Sequence, residues 1–299
     1  MALDLNSLPL YVEQRRLPLI KEAVLKAKSA SLFNLQTDVK TSAAINLVSV
    51  DPTIQAGGCG WNDAGEAKLS QRVINTGLMK INQSFCERDF LKYWTGFEVK
   101  VGIGAETLPF EEYFTSLIVE KVKAGVEKMI WQGDKDSEDA TINHFDGILK
   151  VVADTDAVVP VIAEGAGAYD AIKTVYMSIP EKVLDKAVIF VGADTFREFM
   201  QEIVEKNFYH YAANGMPVEE FIIPGTNTKV IAVNGLNGTG SIVAADPMNL
   251  FYGCDMMNDT EVFDLWYSKD FREFRLAIQF NAGVQVAFTD EIVVATMSR

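Results

Sequence analysis

The residues that could do chemistry in this chain are few and scattered. Its two histidines, His144 and His210, and its three cysteines, Cys59, Cys86 and Cys254, lie far apart, and no Cys-x-x-Cys pair occurs. A structural zinc site needs four such ligands at short spacings, so none is expected here. There is no Gly-x-Ser-x-Gly elbow and no close Cys/His pairing, so a hydrolase triad has no support. His210, within "NFYHYAANG", reads as a packed or turn residue rather than a general base. Asp255 and Asp259 could face each other as paired carboxylates, yet 41 acidic residues make such coincidences commonplace.

Two stretches imitate ligand sites. "GLNGTG" (235–240) looks like a phosphate loop, but it lacks the Lys-Ser/Thr ending and no clear helix follows, so it reads as a surface turn. Asp134, Asp136, Glu138 and Asp139 look like the start of a calcium loop. The sixth position is Asp139 where glycine is needed, and the twelfth is Phe145 where glutamate is needed, which excludes an EF-hand. No catalytic, metal-binding or cofactor-binding residue is assigned. The expectation is a protein that is not an enzyme and takes no cofactor.

Composition narrows the classes further. With 27 Lys plus Arg against 41 Asp plus Glu, the formal net charge is −14. That balance argues against a broad nucleic-acid clamp, which needs clustered cations to meet phosphates. Hydrophobic residues make up 48% of the 299, enough for one large domain or two intertwined lobes. The start "MALDLNSLPLYVEQRR" has no apolar run long enough for a signal peptide, and nothing later approaches bilayer-spanning length. Few cysteines in odd number fit a reducing compartment, so the chain is expected to be soluble and intracellular when made.

The elements follow from periodicity and punctuation. Residues 18–33 read as a helix opening at Pro18. Around it Arg15, Arg16, Lys21, Lys26 and Lys28 outnumber Glu13 and Glu22, a local reversal of the chain's sign. Residues 43–50 and 71–85 read as strands of a long hairpin. The segment between them holds four glycines and Trp61, an aromatic suited to a partner surface. Residues 107–132 form the strongest helix, with Thr107 as N-cap, Pro109 in the first turn and Gly133 as the stop. Its apolar stripe is Phe110, Phe114, Leu117, Ile118, Val122, Val126, Met129 and Ile130, on a rod of roughly 38 Å.

Beyond it, "EKMIWQGDKDSEDATINHFDGILK" runs from apolar helix through an acidic stretch into a hydrophobic re-entry. Helices are expected at 167–179 and 193–207, the second with Thr195 and Glu198 spaced as a capping box. Strands are expected at 186–192, 218–223 and 229–234. Short strands then alternate with turns through "SIVAAD", "EVFDLWY", "FREFRLAIQF", "VQVAFTD" and "EIVVATM". The fold class is α+β.

This order of elements resembles the major capsid proteins of tailed bacteriophages with the Hong Kong 97-like fold. The likeness rests on Gly133-Asp134, on Gly147-Ile148-Leu149, on "KAVIFVGADTFREFM", and on "IVAADPMNLFYGCD" followed by "FNAGVQVAFTDEIVVA". It implies an N-arm over residues 1–44 and an E-loop over 45–88. It further implies a peripheral P domain over 89–163 and 242–283, and an axial A domain over 164–241 with a final strand from 284. The acidic stretch would then be a surface loop of the P domain, re-anchored by "FDGIL".

The implied function is structural: self-assembly into hexamers and pentamers of an icosahedral virion shell, put together in the host cytoplasm. The shell would enclose double-stranded DNA without sequence-specific binding, and would work with a portal protein and no membrane. Because only some forty residues precede the E-loop, a separate scaffolding protein is expected. Expected contacts between subunits are Arg15, Arg16, Lys21, Lys26, Lys28, Trp61 and Lys68. Some relatives join an E-loop lysine covalently to a neighbour's asparagine, which would pair Lys68 with Asn281, although an ordinary surface lysine is the simpler reading. The alternatives are an encapsulin-type nanocompartment shell and a soluble α+β enzyme.

Overall fold

A computed structural model describes residues 7–59, 65–86, 110–153, 155–206, 220–255 and 262–297. Trp61, Thr107, Pro109, His210 and Asp259 lie outside these residues. The described N-terminal part comprises α1 (Ser7–Leu25), α2 (Lys28–Leu32), β1 (Asn34–Gln36), β2 (Ser42–Pro52), β3 (Gly65–Asn75) and β4 (Gly77–Cys86). The middle holds the spine helix α3 (Phe110–Gln132), α4 (Ile148–Ala153), α5 (Ala168–Met177), β5 (Val188–Gly192) and α6 (Ala193–Glu205). The remainder is β6 (Glu220–Ile222), β7 (Lys229–Val233), β8 (Ser241–Ala245), β9 (Leu250–Cys254), β10 (Val262–Ser268), β11 (Glu273–Val286) and β12 (Val293–Thr296).

Two five-stranded sheets carry the core. The first runs β1-β9-β11-β10, with β4 also on β11, and only β1–β9 is parallel. The second runs β12-β8-β5-β7-β6, with β5–β7 parallel. Its central strands are buried on both faces, as their unbroken apolar runs require. Ile189, Val191, Val230, Ile242 and Ala244 pack against α5 and α6. The opposite face, with Phe190, Ile231, Val233 and Val243, joins a core shared with α1, α3 and the first sheet. β2 and β3 form a separate two-stranded ribbon.

Several boundaries differ from the sequence reading. Pro18 does not open a helix; it sits inside α1. An internal proline costs a helix about 3 kcal/mol. Val12 before it and Leu19, Ile20, Ala23 and Val24 after it are all buried, and that burial outweighs the lost hydrogen bond. The strand expected over 71–85 is two strands broken at Thr76, whose amide donates to the Thr41 carbonyl at 2.9 Å. β3 then pairs with β2, and β4 with β11. "FREFRLAIQF" and "VQVAFTD" contribute to one 14-residue strand, carried through the Asn281-Ala282-Gly283 turn signal by partners on both sides. Residues 241–245 belong to the second sheet.

Helix α3 keeps most of its predicted stripe, of which the Phe110 side chain lies outside the described residues. Val122, Val126, Met129 and Ile130 are buried, Val119 joins them, and Leu117 is exposed. Helix α6 begins at Ala193 with Gly192 as N-cap, so Thr195 lies inside the helix and not at the N-cap position expected for it.

Candidate functional site

The spine helix ends where two glycines meet. The Gly133 amide donates to Met129 O at 2.9 Å, and the Gly147 amide donates to Gly133 O at 2.8 Å. A Cβ on Gly147 would lie 2.6 Å from Gly133 N and 2.8 Å from the carbonyl oxygens of Met129 and Trp131. Only glycine lets the chain leave and re-enter this closely. Phe145 and Ile148, both 1% exposed, anchor the return.

Between these glycines the acidic loop closes around one cation. Lys150, on α4, reaches Asp134 and Asp136 in short ion pairs and Asp146 at 3.3 Å. Asp146 also accepts the Lys135 amide at 3.0 Å. Two of the four carboxylates that imitate a calcium loop, Asp134 and Asp136, therefore meet an ammonium group of the chain itself, while Asp139 accepts from Thr141 and pairs with Lys128 at 3.9 Å. The hydrogen bonds that Lys150 donates to Asp134 and Asp136 push its pKa upward, and accepting one of them holds Asp134 below the usual carboxylate range. A depressed carboxyl adds stability above its ordinary 3.8, lost as pH falls through its folded value. We expect Lys150→Met to move Asp134 back up toward the ordinary range. A carbon-13 titration of the Asp134 carboxyl checks this, and an unchanged titration would remove Lys150 as the organiser of the loop.

The glycine-rich turn 235–240 also has a structural purpose. A Cβ on Gly235 would meet Glu127 O and the Trp131 ring, each at 2.3 Å. Asn237 Oδ1 accepts the Ala193 amide at 2.7 Å, and Asp194 accepts the Gly238 amide at 3.0 Å. The turn thus caps the first turn of α6, where a phosphate would have to sit. On the other side, Glu202 of α6 accepts the Ala168 and Tyr169 amides at 2.7 and 3.2 Å and caps α5.

Among the described residues no cluster of His, Cys, Asp and Glu could hold a metal ion, and no helix is long and apolar enough to cross a membrane. Surfaces are more informative. In the ribbon, directly opposed residues share a face. On one face Ile45, Leu47 and Ile74 are buried with Val39 and Ala287 at the base, while farther out Lys68 pairs with Glu66 at 2.9 Å. The other face is the reverse. Its outer pairs, Val48–Leu69 and Val50–Ala67, are exposed, with Leu69 82% exposed, and Ile54 at the tip is fully open at 99%. The apolar side of the ribbon switches face between base and tip.

A groove of about 440 Å³ runs between the spine helix and β4. Met79, Ile81, Phe114, Leu117, Ile118 and Met129 line it, with His144 at its side. A smaller apolar cleft of about 320 Å³ lies between α5, α6 and β6, lined by Tyr169, Ile172, Tyr176, Phe199, Ile203 and Phe221.

The expected contact residues do not converge. Arg15 lies over the Tyr11 ring at 5.3 Å, Arg16 reaches Asp264 at 3.9 Å, and Lys26 reaches Glu22 at 3.3 Å. Lys21 is exposed and Lys28 half-buried at the start of α2. The segment that carries them packs on its own spine helix. Asn281 is only 7% exposed, and its Nδ2 donates to Lys40 O at 3.0 Å. A covalent bond from Lys68 of another copy would need that side chain at the surface.

No protein-family model and no curated protein matches the chain. Solved structures do match nearly end to end. A chain of the satellite phage P4 procapsid with its size determination protein aligns at TM-score 0.63 and 10% identity, over 94% of this chain and 90% of that one. The capsid of an empty GTA particle aligns at TM-score 0.57 and 10% identity, over 93% and 90%. A virus-like particle from Pyrococcus furiosus aligns at TM-score 0.53 and 9% identity, over 94% and 98%. The overall fold is thus shared with chains of capsids and of a virus-like particle. The chain has the α+β, Hong Kong 97-like fold of tailed-phage capsids.

Proposed function

We propose that this chain is the major capsid protein of a tailed phage, a structural subunit without catalytic activity. It self-assembles as hexamers and pentamers of an icosahedral shell around double-stranded DNA, in the host cytoplasm. The observation that carries the reading is the ribbon β2–β3, whose outer apolar face is turned away from the side that anchors its base. A two-stranded ribbon is marginal alone, so an exposed apolar face on one calls for a neighbour. The groove along the spine helix of the next copy offers apolar surface to receive it. Such a contact is heterologous, one copy giving a ribbon and the next receiving it, and heterologous contacts make rings where their rotation closes.

In this reading Trp61 and Lys68 belong to the lent ribbon. Arg15, Arg16, Lys21, Lys26 and Lys28, though scattered, each offer a positive charge to acidic neighbours. The net charge of −14 suits a wall that contains DNA without gripping its whole length. A separate scaffolding protein and a portal protein complete the assembly. The likeness to the Pyrococcus furiosus virus-like particle, over 98% of that chain, is the observation behind a second and weaker reading, a nanocompartment that stores a cargo enzyme.

Electron microscopy of the purified protein tests both. Closed shells or hexameric sheets are the expected result, and a clean monomer at every concentration would overturn both readings. Co-purified nucleic acid and tail components support the virion, and a single co-purified enzyme supports the nanocompartment.

A further inference from the structure

The second sheet carries an apolar projection at one edge and an apolar cleft toward the other. After α4 the chain runs extended beside β12. The Val158 amide donates to Ile292 O, and its carbonyl accepts the Val294 amide, both at 2.9 Å. Side chains of an extended segment alternate between its two sides. Val158 and Ile162 pack on the core beneath α5 and α6, while Val159 and Val161 are 71% and 90% exposed, with Ala163 exposed beyond them. A turn over residues 163–166 ends the segment. The Ala166 amide donates to Ala163 O at 3.1 Å, and Gly165 takes the φ of +73° that the third position of a type II turn needs. That turn holds Glu164 exposed beside the valines. Pro160, between them, has no amide hydrogen to offer a further strand. This edge can therefore engage a partner through its side chains but is a poor template for strand addition.

The cleft between α5, α6 and β6 matches the projection in chemistry. At about 320 Å³ it has room for branched aliphatic side chains. Its aromatic walls are already packed on one another: Tyr169 stacks on Phe199 with centroids 6.3 Å apart, and Phe221 meets Phe199 edge-on at 5.4 Å. One nearby cation, Lys206, is turned onto the Tyr169 ring at 4.0 Å and pairs with Asp170 and Glu202 at 3.9 and 4.0 Å. Lys173 is the exposed cation that lines the cleft, opposite in sign to Glu164 beside the valines. A subunit cannot join the two by itself. β6 and the Val158 segment flank opposite ends of the sheet order, five strand spacings or roughly 24 Å apart. The exposed valines also point to the side of the sheet away from α5 and α6.

We propose that Val159 and Val161 of one copy enter the α5–α6–β6 cleft of the next, with Glu164 set against Lys173. The contact rests on the shell reading above and adds a second joint between neighbours, separate from the ribbon. A projection and its receptor at opposite edges of one subunit make a heterologous contact, the kind that forms rings where its rotation closes. The apolar pair supplies the buried surface, and the charge pair at the rim fixes the register.

Cross-linking of assembled particles tests it. In a background carrying Cys59→Ser and Cys86→Ser, Glu164→Cys and Lys173→Cys are combined and treated with a short bismaleimide. A ladder from dimer to hexamer on a denaturing gel is expected, with none from either single cysteine variant. Particles that give no ladder would overturn this contact and leave the shell reading standing, whereas an unaltered chain that never assembles would overturn both. A reconstruction with a different protein seated in the cleft would also overturn it. Should the cysteine variants not assemble, Val159→Asp with Val161→Asp in the otherwise unaltered chain decides. That variant is expected to keep the thermal transition of the isolated subunit, because both side chains are exposed, and to lower particle yield at least tenfold. Undiminished yield, or loss of the thermal transition, would overturn the contact.

Discussion

Gly147→Ala is expected to cost the subunit more than 3 kcal/mol of unfolding free energy, a large part of the roughly 5 to 15 kcal/mol that a domain has. The added methyl group would lie within 2.8 Å of three backbone atoms, Gly133 N, Met129 O and Trp131 O. Overpacking against side chains costs about 1 to 3 kcal/mol because rotamers can yield. Here the obstacles are main chain at the end of a long helix, and relief would also break the 2.8 Å bond from the Gly147 amide to Gly133 O. Gly125 provides the control, because a Cβ there meets nothing within 4 Å and the site is exposed on the same helix. Gly125→Ala should stabilise by about 0.5 to 1 kcal/mol through helix propensity alone. Urea denaturation of the unassembled subunit measures both. A Gly147→Ala midpoint equal to that of the parent would show that the junction relaxes freely.

The second large effect falls on assembly and spares folding. Val48, Val50 and Leu69 are 58%, 62% and 82% exposed, so their replacement by serine removes little from the subunit's own core. Buried on a neighbouring copy, each would contribute about 1.5 to 3 kcal/mol, and the loss recurs at every contact of a shell. The triple variant is expected to keep its circular dichroism and thermal transition while particle yield collapses. Replacing residues 54–64 with a short Gly-Ser turn should act in the same direction by removing Ile54 and the tip. Two results would count against the ribbon as the lent element. One is undiminished particle yield from the triple variant. The other is loss of the cooperative thermal transition in the isolated subunit.

How much of this was legible in the sequence depended on distance along the chain. The spine helix, the ribbon and β5–α6 announce themselves through period and punctuation over ten or twenty residues. Gly133 and Gly147 were visible as a motif, though not their contact. The errors came where remote packing overrode a local signal. Pro18 reads as a helix start until the spine helix and β10 bury both of its flanks. Asn281-Ala282-Gly283 reads as a turn until β4 and β9 pair across it. The switch of apolar face in the ribbon needed the register, since shifting either strand by one residue would erase it. Lys150 carries no local mark at all. It is a lysine beyond an acidic run, and its partners are set by the fold.

The first sheet has a further consequence for the order in which the chain can fold. Asn34 pairs with Phe251, and Gly77–Cys86 pairs with Glu273–Ala282, so strands made first wait for strands made near the end. At typical synthesis rates the interval between β1 and β9 is roughly 10 to 40 s. The second sheet has no such delay over most of its area, because β5, β7 and β8 all lie within Val188–Ala245. The middle of the polypeptide can therefore consolidate on the ribosome while β1 and β4 remain without their partner strands. Only when β9 and β11 emerge can the first sheet close on them.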